Sequence, residues 1–232
     1  MRILYVTQIV PFPPHGGVLQ RGYNLLRELG RHHEVHLLAF HHPDELSGPE
    51  AVERSRVELG KFCRSVEYFE LWPKKSRWHT ALALGVGMFY PKPFSVLAQK
   101  NARLAQRITE YCRQSRVDIV HLDTIALAPL RECCAGTPVV LAHHNIESQL
   151  MARRGEHEGG WAARTYVESQ ARRLVAYERE QAAKFPLNIT VSQADSATLR
   201  AICPQARCTE VPNGVDIEYF TPRPASDAPT MI

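Results

Sequence analysis

The sequence predicts an α/β fold with a doubly wound, mainly parallel sheet and helices on both faces. Three observations predict it. Short apolar runs of strand length alternate with stretches whose apolar residues recur at helical spacing. The first such run, Ile3-Leu4-Tyr5-Val6, opens the chain and passes through Gly16-Gly17 into a helical stretch. Polar or glycine-containing segments follow several of the later runs, where a parallel sheet presents its ligand rim.

The elements follow in order. A first strand is predicted over Arg2 to Thr7 and a helix over Val18 to Leu29, with Val18, Gly22, Leu25, Leu26 and Leu29 on one face. Glu34 to Phe40 reads as a second strand, closed by the polar turn His41-His42-Pro43-Asp44. Glu50 to Arg64 is helix-like, and Val66 to Leu71 alternates as a third strand. Trp72 to Ser95 breaks the pattern, with Lys74, Lys75 and Arg77 beside Trp72 and Trp78, then an apolar stretch. Basic and aromatic residues together suit a membrane surface; the favoured reading is a loop and short helix covering a sheet edge. Val96 to Arg116 reads as one helix and Val117 to Asp123 as a fourth strand, leading through Ala126 to Pro129 into a short helix. Thr137 to Ala142 is a fifth strand ending in His143-His144-Asn145-Ile146-Glu147. A long helix follows Gly159-Gly160, with Glu178 on its apolar stripe, where an edge position is expected. Leu187 to Ser192 is a sixth strand, with Ser192 placed to cap a helix over Gln193 to Ala201. Cys208 to Pro212 is a short seventh strand, and Asn213-Gly214-Val215-Asp216 turns out of it.

At 232 residues the chain can bury a sizeable core, as one large domain or two small ones. Its net charge of +4 is too small to argue for a nucleic-acid partner. Its arginines around Arg153 to Arg179 are interleaved with glutamates, as on a solvated helix face. The N-terminus enters a strand at once, so no secretory leader is expected. The longest apolar run, Thr80 to Tyr90, is well short of the roughly 20 residues of a membrane helix. The six cysteines show no C-x-x-C pair, which fits reduced thiols in a cytoplasmic protein.

Three clusters carry candidate chemistry. Gly16-Gly17 at a strand-to-helix turn lets backbone approach a ligand, and unpaired N–H groups and a dipole at the helix start suit phosphate. The alternative is a tight turn with nothing bound. Neither the G-x-G-x-x-G fingerprint nor a P-loop is present. His144 could donate to a substrate hydroxyl or carry a proton, and Glu147 could act as a base or sugar-hydroxyl partner. Adjacent strand residues face opposite ways, so His143 and His144 are not expected to share a metal. Asp123, at the end of the fourth strand, could accept from a ligand or cap the next helix.

These residues resemble a known family. Pro13-Pro14-His15-Gly16-Gly17, Gln20-Arg21 and Leu25-Leu26 resemble the opening of GT-B fold glycosyltransferases of the family 4 type. His144-Asn145-Ile146-Glu147, Val191-Ser192 with Leu199, and Val211-Pro212-Asn213-Gly214-Val215-Asp216 with Phe220 and Pro222 resemble later segments of its N-terminal domain. Phe185-Pro186 departs from the family, which often has an acidic residue near that proline.

The resemblance implies one Rossmann-like half of a GT-B architecture, with 1–222 as the acceptor-side domain and 223–232 as a linker. It implies retaining transfer of a sugar from a nucleotide-sugar to a glycan or lipid-linked acceptor, without a cofactor or metal. Gly16 and Gly17 would meet the donor phosphates, and His144 would be catalytic. Asp123, Asn145, Glu147 and Arg21 would contact acceptor or sugar, and Asn213-Gly214 would mark the interdomain hinge. The donor-binding half, with its Glu-x7-Glu motif, would come in cis or from a partner chain, so the chain alone is expected to be inactive. Peripheral contact with the inner face of the membrane fits the same reading. A stand-alone module that binds a sugar or anion without catalysis is the alternative. An epimerase is ranked last, because G-x-x-G-x-x-G and Tyr-x-x-x-Lys are missing.

Overall fold

Alternate residues of the first strand, β1 (Arg2–Thr7), supply two different cores. Leu4 and Val6 enter one cluster, while Tyr5 enters another, because successive strand side chains point to opposite faces. All three are fully buried, so β1 is central, and helices must cover both sides. The computed structural model describes residues 1–72, 78–79, 85–87, 90–114, 117–215 and 221.

Within these residues the chain runs β1, α1 (Gly17–His32), β2 (Glu34–His41), α2 (Pro49–Leu59), β3 (Ser65–Glu70), α3 (Phe94–Ala98), α4 (Ala102–Gln114) and β4 (Ile119–Leu122). A 3₁₀ segment (Ile125–Cys133), β5 (Val139–His143), α5 (Glu147–Glu156), α6 (Trp161–Ala182), β6 (Leu187–Thr190), α7 (Gln193–Ile202) and β7 (Cys208–Glu210) follow. The strands form one sheet in the order β3-β2-β1-β4-β5-β6-β7. Every pairing is parallel. This is the doubly wound arrangement expected from the sequence.

One face packs Leu4, Val6, Leu38, Phe40, Val120, Leu122 and Leu141 against Leu104, Ile108 and Tyr111 of α4, the 3₁₀ segment and Tyr177 of α6. The other packs Tyr5, Val35, Leu37 and Ala39 against Leu26 of α1 and Leu59 of α2. A third, smaller cluster joins Ile146, Ala182 and Leu199. Each fully buried leucine contributes roughly 1.5–3 kcal/mol by leaving water.

Several elements differ from the expectation. The helix expected over Val96 to Arg116 is two helices, α3 and α4. Asn101 accepts from the Leu104 N–H at 3.0 Å and starts α4 anew. The short helix after β4 is a 3₁₀ segment with Pro129 inside it. Helix α5 was not foreseen between the His143–Glu147 cluster and α6. Ser192 caps α7 as expected, accepting from the Asp195 N–H at 3.1 Å.

Of the Trp72–Ser95 stretch, the described residues lean on the body of the domain. Arg173 of α6 donates to the carbonyls of Gly87 and Tyr90, at 2.9 and 2.8 Å, and the Trp72 indole donates to Leu97 O at 2.9 Å. Trp78 is exposed. Lys74, Lys75 and Arg77, and the linker expected over 223–232, lie outside the described residues. No helix among the described residues is long and apolar enough to cross a membrane.

Candidate functional site

The chain winds outward from β1 through β2 to β3, then returns to β4 on the other side of β1 and winds away to β7. The reversal opens a crevice beyond the carboxyl ends of β1 and β4, where ligands of doubly wound sheets bind. Thr7, Asp123 and His144 stand at or just past the ends of β1, β4 and β5.

Asp123 is 1% exposed. Its Oδ1 accepts from the Tyr5 hydroxyl at 2.8 Å and its Oδ2 from Thr7 Oγ1 at 2.9 Å. His144 Nε2 lies 3.0 Å from Oδ2, and His121 Nε2 lies 3.6 Å from Oδ1. The His144 contact is close but bent, and its N–H is not aimed along the line to the oxygen. The His121 ring stacks on Tyr5, with centroids 4.3 Å apart. Burial works against the charge on Asp123, but His144 and His121 outweigh it, and its carboxyl is held well below the usual range. Burial likewise works against a proton on His144, and the adjacent Asp123 carboxylate outweighs it, so its pKa is raised. The two partners agree: together they favour an imidazolium–carboxylate pair. Burial and the same carboxylate push the Tyr5 phenol well up, so it remains a donor.

His143 faces elsewhere. Its Nε2 is 3.1 Å from Asn188 Oδ1, and burial pulls its pKa down to about 4. The two adjacent histidines are therefore shifted in opposite directions. Among the described residues, no group of three or more His, Cys, Asp or Glu could hold a metal ion. All six cysteines are free thiols.

Helices α1, α5 and α7 follow β1, β5 and β6 and so are among those that begin on this side of the sheet. Helix α7 is capped by Ser192. At α5, Glu147 occupies the first turn, and Glu178 of α6 accepts from both the backbone N–H and the hydroxyl of Ser148. Helix α1 has neither device: Gly16 offers no side-chain cap, and the first turn holds no acidic residue. Its first N–H groups remain available to an anion. Gly16 has φ +80°, and a Cβ added at Gly16 or Gly17 would meet nothing within 4 Å, so both face open space.

Arg21, one turn into α1, is partly buried and donates to Asn213 Oδ1 at 2.7 Å and to Val211 O at 2.8 Å. The segment after β7 is thereby drawn back to the first helix. Gly214, next in that segment, is exposed. Asn145, between β5 and α5, and Glu147, at the start of α5, are half-buried. Burial raises the Glu147 pKa, with His144 and Arg154 opposing.

The structure brings Arg21, Asp123, His144 and Glu147 into one electrostatic neighbourhood. Sequence reasoning missed Tyr5, Thr7 and the Ser148–Glu178 pair. A signal existed for Tyr5: a tyrosine inside a buried strand needs a partner for its hydroxyl. Glu178 is fully buried, not at the stripe's edge as expected, because Ser148 satisfies both of its oxygens.

A doubly wound parallel domain with an uncapped helix start and a buried His–Asp pair at its switch point has the form of a domain that binds an anionic ligand in its crevice. The chain belongs to Glycosyltransferase Family 4, whose sequence profile matches residues 15–219. No curated protein matches it. Among solved structures, that of Anabaena Alr3699/HepE in complex with UDP and glucose aligns at a TM-score of 0.51 and 18% identity, over 97% of this chain and 47% of that one. The same Anabaena protein in complex with UDP aligns at 0.49 and 17%, over 94% and 45%. At such identities the likeness concerns the fold. The chain spans less than half the length of these solved chains.

Proposed function

We propose that this chain is the acceptor-side half of a retaining GT-B glycosyltransferase that moves a sugar from a nucleotide-sugar to a glycan or lipid-linked acceptor. Residues 1–222 form that half, 223–232 lead away from it, and the donor-binding half comes in cis or from a partner chain. One observation carries the reading. An uncapped helix N-terminus, a His144 biased toward imidazolium and Arg21 gather at one switch-point crevice. Positive charge and free N–H groups belong where a leaving diphosphate gains charge. Gly16 and Gly17 let the phosphates approach the backbone. His144 acts on the transferred sugar and its leaving group, while Asn145 and Glu147 meet sugar or acceptor hydroxyls. The reading assigns no step to a metal or cofactor. It places the protein in the cytoplasm, with the 72–94 stretch as a candidate contact to the inner membrane face.

The test is calorimetric titration of UDP- and GDP-sugars into the chain, with Gly17→Trp as control. UDP-sugars come first, because the Anabaena protein is seen with UDP and glucose. Binding in the millimolar range or tighter, abolished by Gly17→Trp without loss of thermal stability, is expected. Binding that Gly17→Trp leaves intact would place the nucleotide elsewhere. The chain alone is expected to show negligible turnover, and robust transfer by it would refute the two-half reading.

A further inference from the structure

We propose that Asp123 is a positioning residue: a buried carboxylate that holds the His144 ring with Nε2 inward and Nδ1 toward the crevice, without touching sugar itself. The expectation from the sequence was a contact to acceptor or sugar. Its burial and its partners support a different role. Asp123 is 1% exposed. Its Oδ1 is taken by Tyr5 at 2.8 Å, and its Oδ2 by Thr7 at 2.9 Å and His144 Nε2 at 3.0 Å. Its backbone N–H is fixed to Val6 O at 3.0 Å. The carboxylate is gripped from β1 and turned toward the residue after β5.

The grip follows from the sheet. β4 pairs with β1, with Tyr5 opposite His121, so a carboxylate just past β4 falls within reach of hydroxyls on β1. Tyr5 and Thr7 lie two apart and so point to the same face. Two neutral donors keep the carboxylate ionised without neutralising its charge, which leaves that charge for the histidine. With Nε2 facing Asp123, Nδ1 is the ring nitrogen left for a ligand.

The charged and titratable groups around His144 come from five places. Asp123 follows β4, His121 lies on β4 and Tyr5 on β1; Arg21 comes from α1 and Glu147 from α5. His143 is its chain neighbour and is held neutral by burial. Arg21 opposes a charge on His144 and Glu147 favours one, but Asp123 is the strongest favourable influence. The bent Nε2–Oδ2 contact leaves a small ring rotation for ligand binding to complete, as unliganded sites often do. That the ligand at Nδ1 is a donor's sugar or diphosphate rests on the function proposed above; the anchoring itself does not.

The test needs no donor or acceptor. The chain is labelled with ¹⁵N-histidine and titrated by NMR, with His144→Gln to identify the resonance. In the unaltered chain, His144 should titrate above the ordinary histidine value, and its neutral form should carry the proton on Nε2. In Asp123→Asn the pKa should fall by about one unit or more, and the tautomer preference should be lost. A pKa within about 0.3 unit of the parent's would overturn the proposal. Should Asp123→Asn fail to fold, Thr7→Val serves instead. It leaves Oδ2 to His144 alone, so the pKa should rise, and an unmoved pKa would overturn the proposal equally. If these shifts appear while no nucleotide-sugar binds to this chain, the donor contact proposed for Gly16 and Gly17 loses its support and the anchoring stands.

Discussion

The Arg21 guanidinium donates to Asn213 Oδ1 at 2.7 Å across a sequence separation of 192 residues. A second bond, to Val211 O at 2.8 Å, makes the contact a two-point clasp between α1 and the segment leaving β7. Val211 continues the sheet's last hydrogen bond, donating to Thr190 O at 2.9 Å. The segment after β7 is therefore fastened at the rim that holds Gly16, Gly17 and His144. Arg21→Met keeps the apolar stem and removes both bonds. It is expected to cost about 1 kcal/mol, as a charged but solvent-accessible hydrogen-bonding group. Hydrogen exchange should accelerate at Val211, whose N–H is bonded to Thr190 O, while the amides of β1 and β4 are unchanged. Unaltered exchange at Val211 would show that the clasp holds nothing.

Glu178 should prove structural and pH-sensitive. Burial raises its pKa, and the Ser148 hydroxyl and N–H only partly offset this. A folded pKa above the unfolded one binds the proton more tightly in the native state. Stability from this group is therefore full below about pH 4.5 and declines as pH rises through the folded value. Glu178→Gln should flatten that decline, since the amide remains neutral and still accepts from Ser148. Glu178→Ala leaves the Ser148 donors of α5 unpaired in the interior and should cost about 2 kcal/mol or more. Denaturant unfolding of both variants across acid to neutral pH decides it. A pH profile in Glu178→Gln identical to the parent's would remove Glu178 from the account.

His143 should give the opposite slope. Its folded pKa of about 4 lies below the ordinary 6.5, so the unfolded chain takes up the proton first. Its stability is present above pH 6.5 and lost as pH falls toward 4, on the order of 3 kcal/mol across the window. Asp123 acts in the same direction, but only below its ordinary 3.8, so the windows separate. His143→Gln keeps a donor for Asn188 Oδ1 and should remove most of the loss between pH 6.5 and 4. The measurement is unfolding free energy against pH, and an unchanged slope in the variant would show that His143 is not the group responsible.

Much of this was legible in the sequence, for a physical reason. Strands buried on both faces read as nearly unbroken apolar runs, so β1, β2 and β5 declared themselves. The parallel sheet then followed from alternation alone, and with it the rim. Helix α5 was not legible because it buries little: only Ser148 and Gly155 among its residues are buried, too few for a stripe. The break between α3 and α4 hung on a single capping side chain, Asn101. Glu178 misled because its partner lies 30 residues earlier, on a helix not yet recognised. Asp123 stood out as a residue past a strand end, but its partners Tyr5 and Thr7 become neighbours only through the β1–β4 pairing. Single-residue chemistry was thus visible, whereas the pairing that sets its role belongs to the register of the sheet.

Gly16 and Gly17 should respond very differently to the same small change. Gly16 sits at φ 80°, ψ 165° as the residue before α1, a region almost closed to side chains. Gly17 is the first residue of α1 and needs no such freedom. Neither position is crowded, since an added Cβ meets nothing within 4 Å. Sterics thus cancel, and backbone strain alone separates them. Gly16→Ala should destabilise the chain by about 1–3 kcal/mol. Gly17→Ala should be neutral or stabilising by up to about 1 kcal/mol, because alanine favours a helix more than glycine does. Paired denaturant melts measure the difference. Equal effects at the two positions would mean that the turn relaxes freely, and that the strand-to-helix geometry on which the anion reading depends is not held by Gly16.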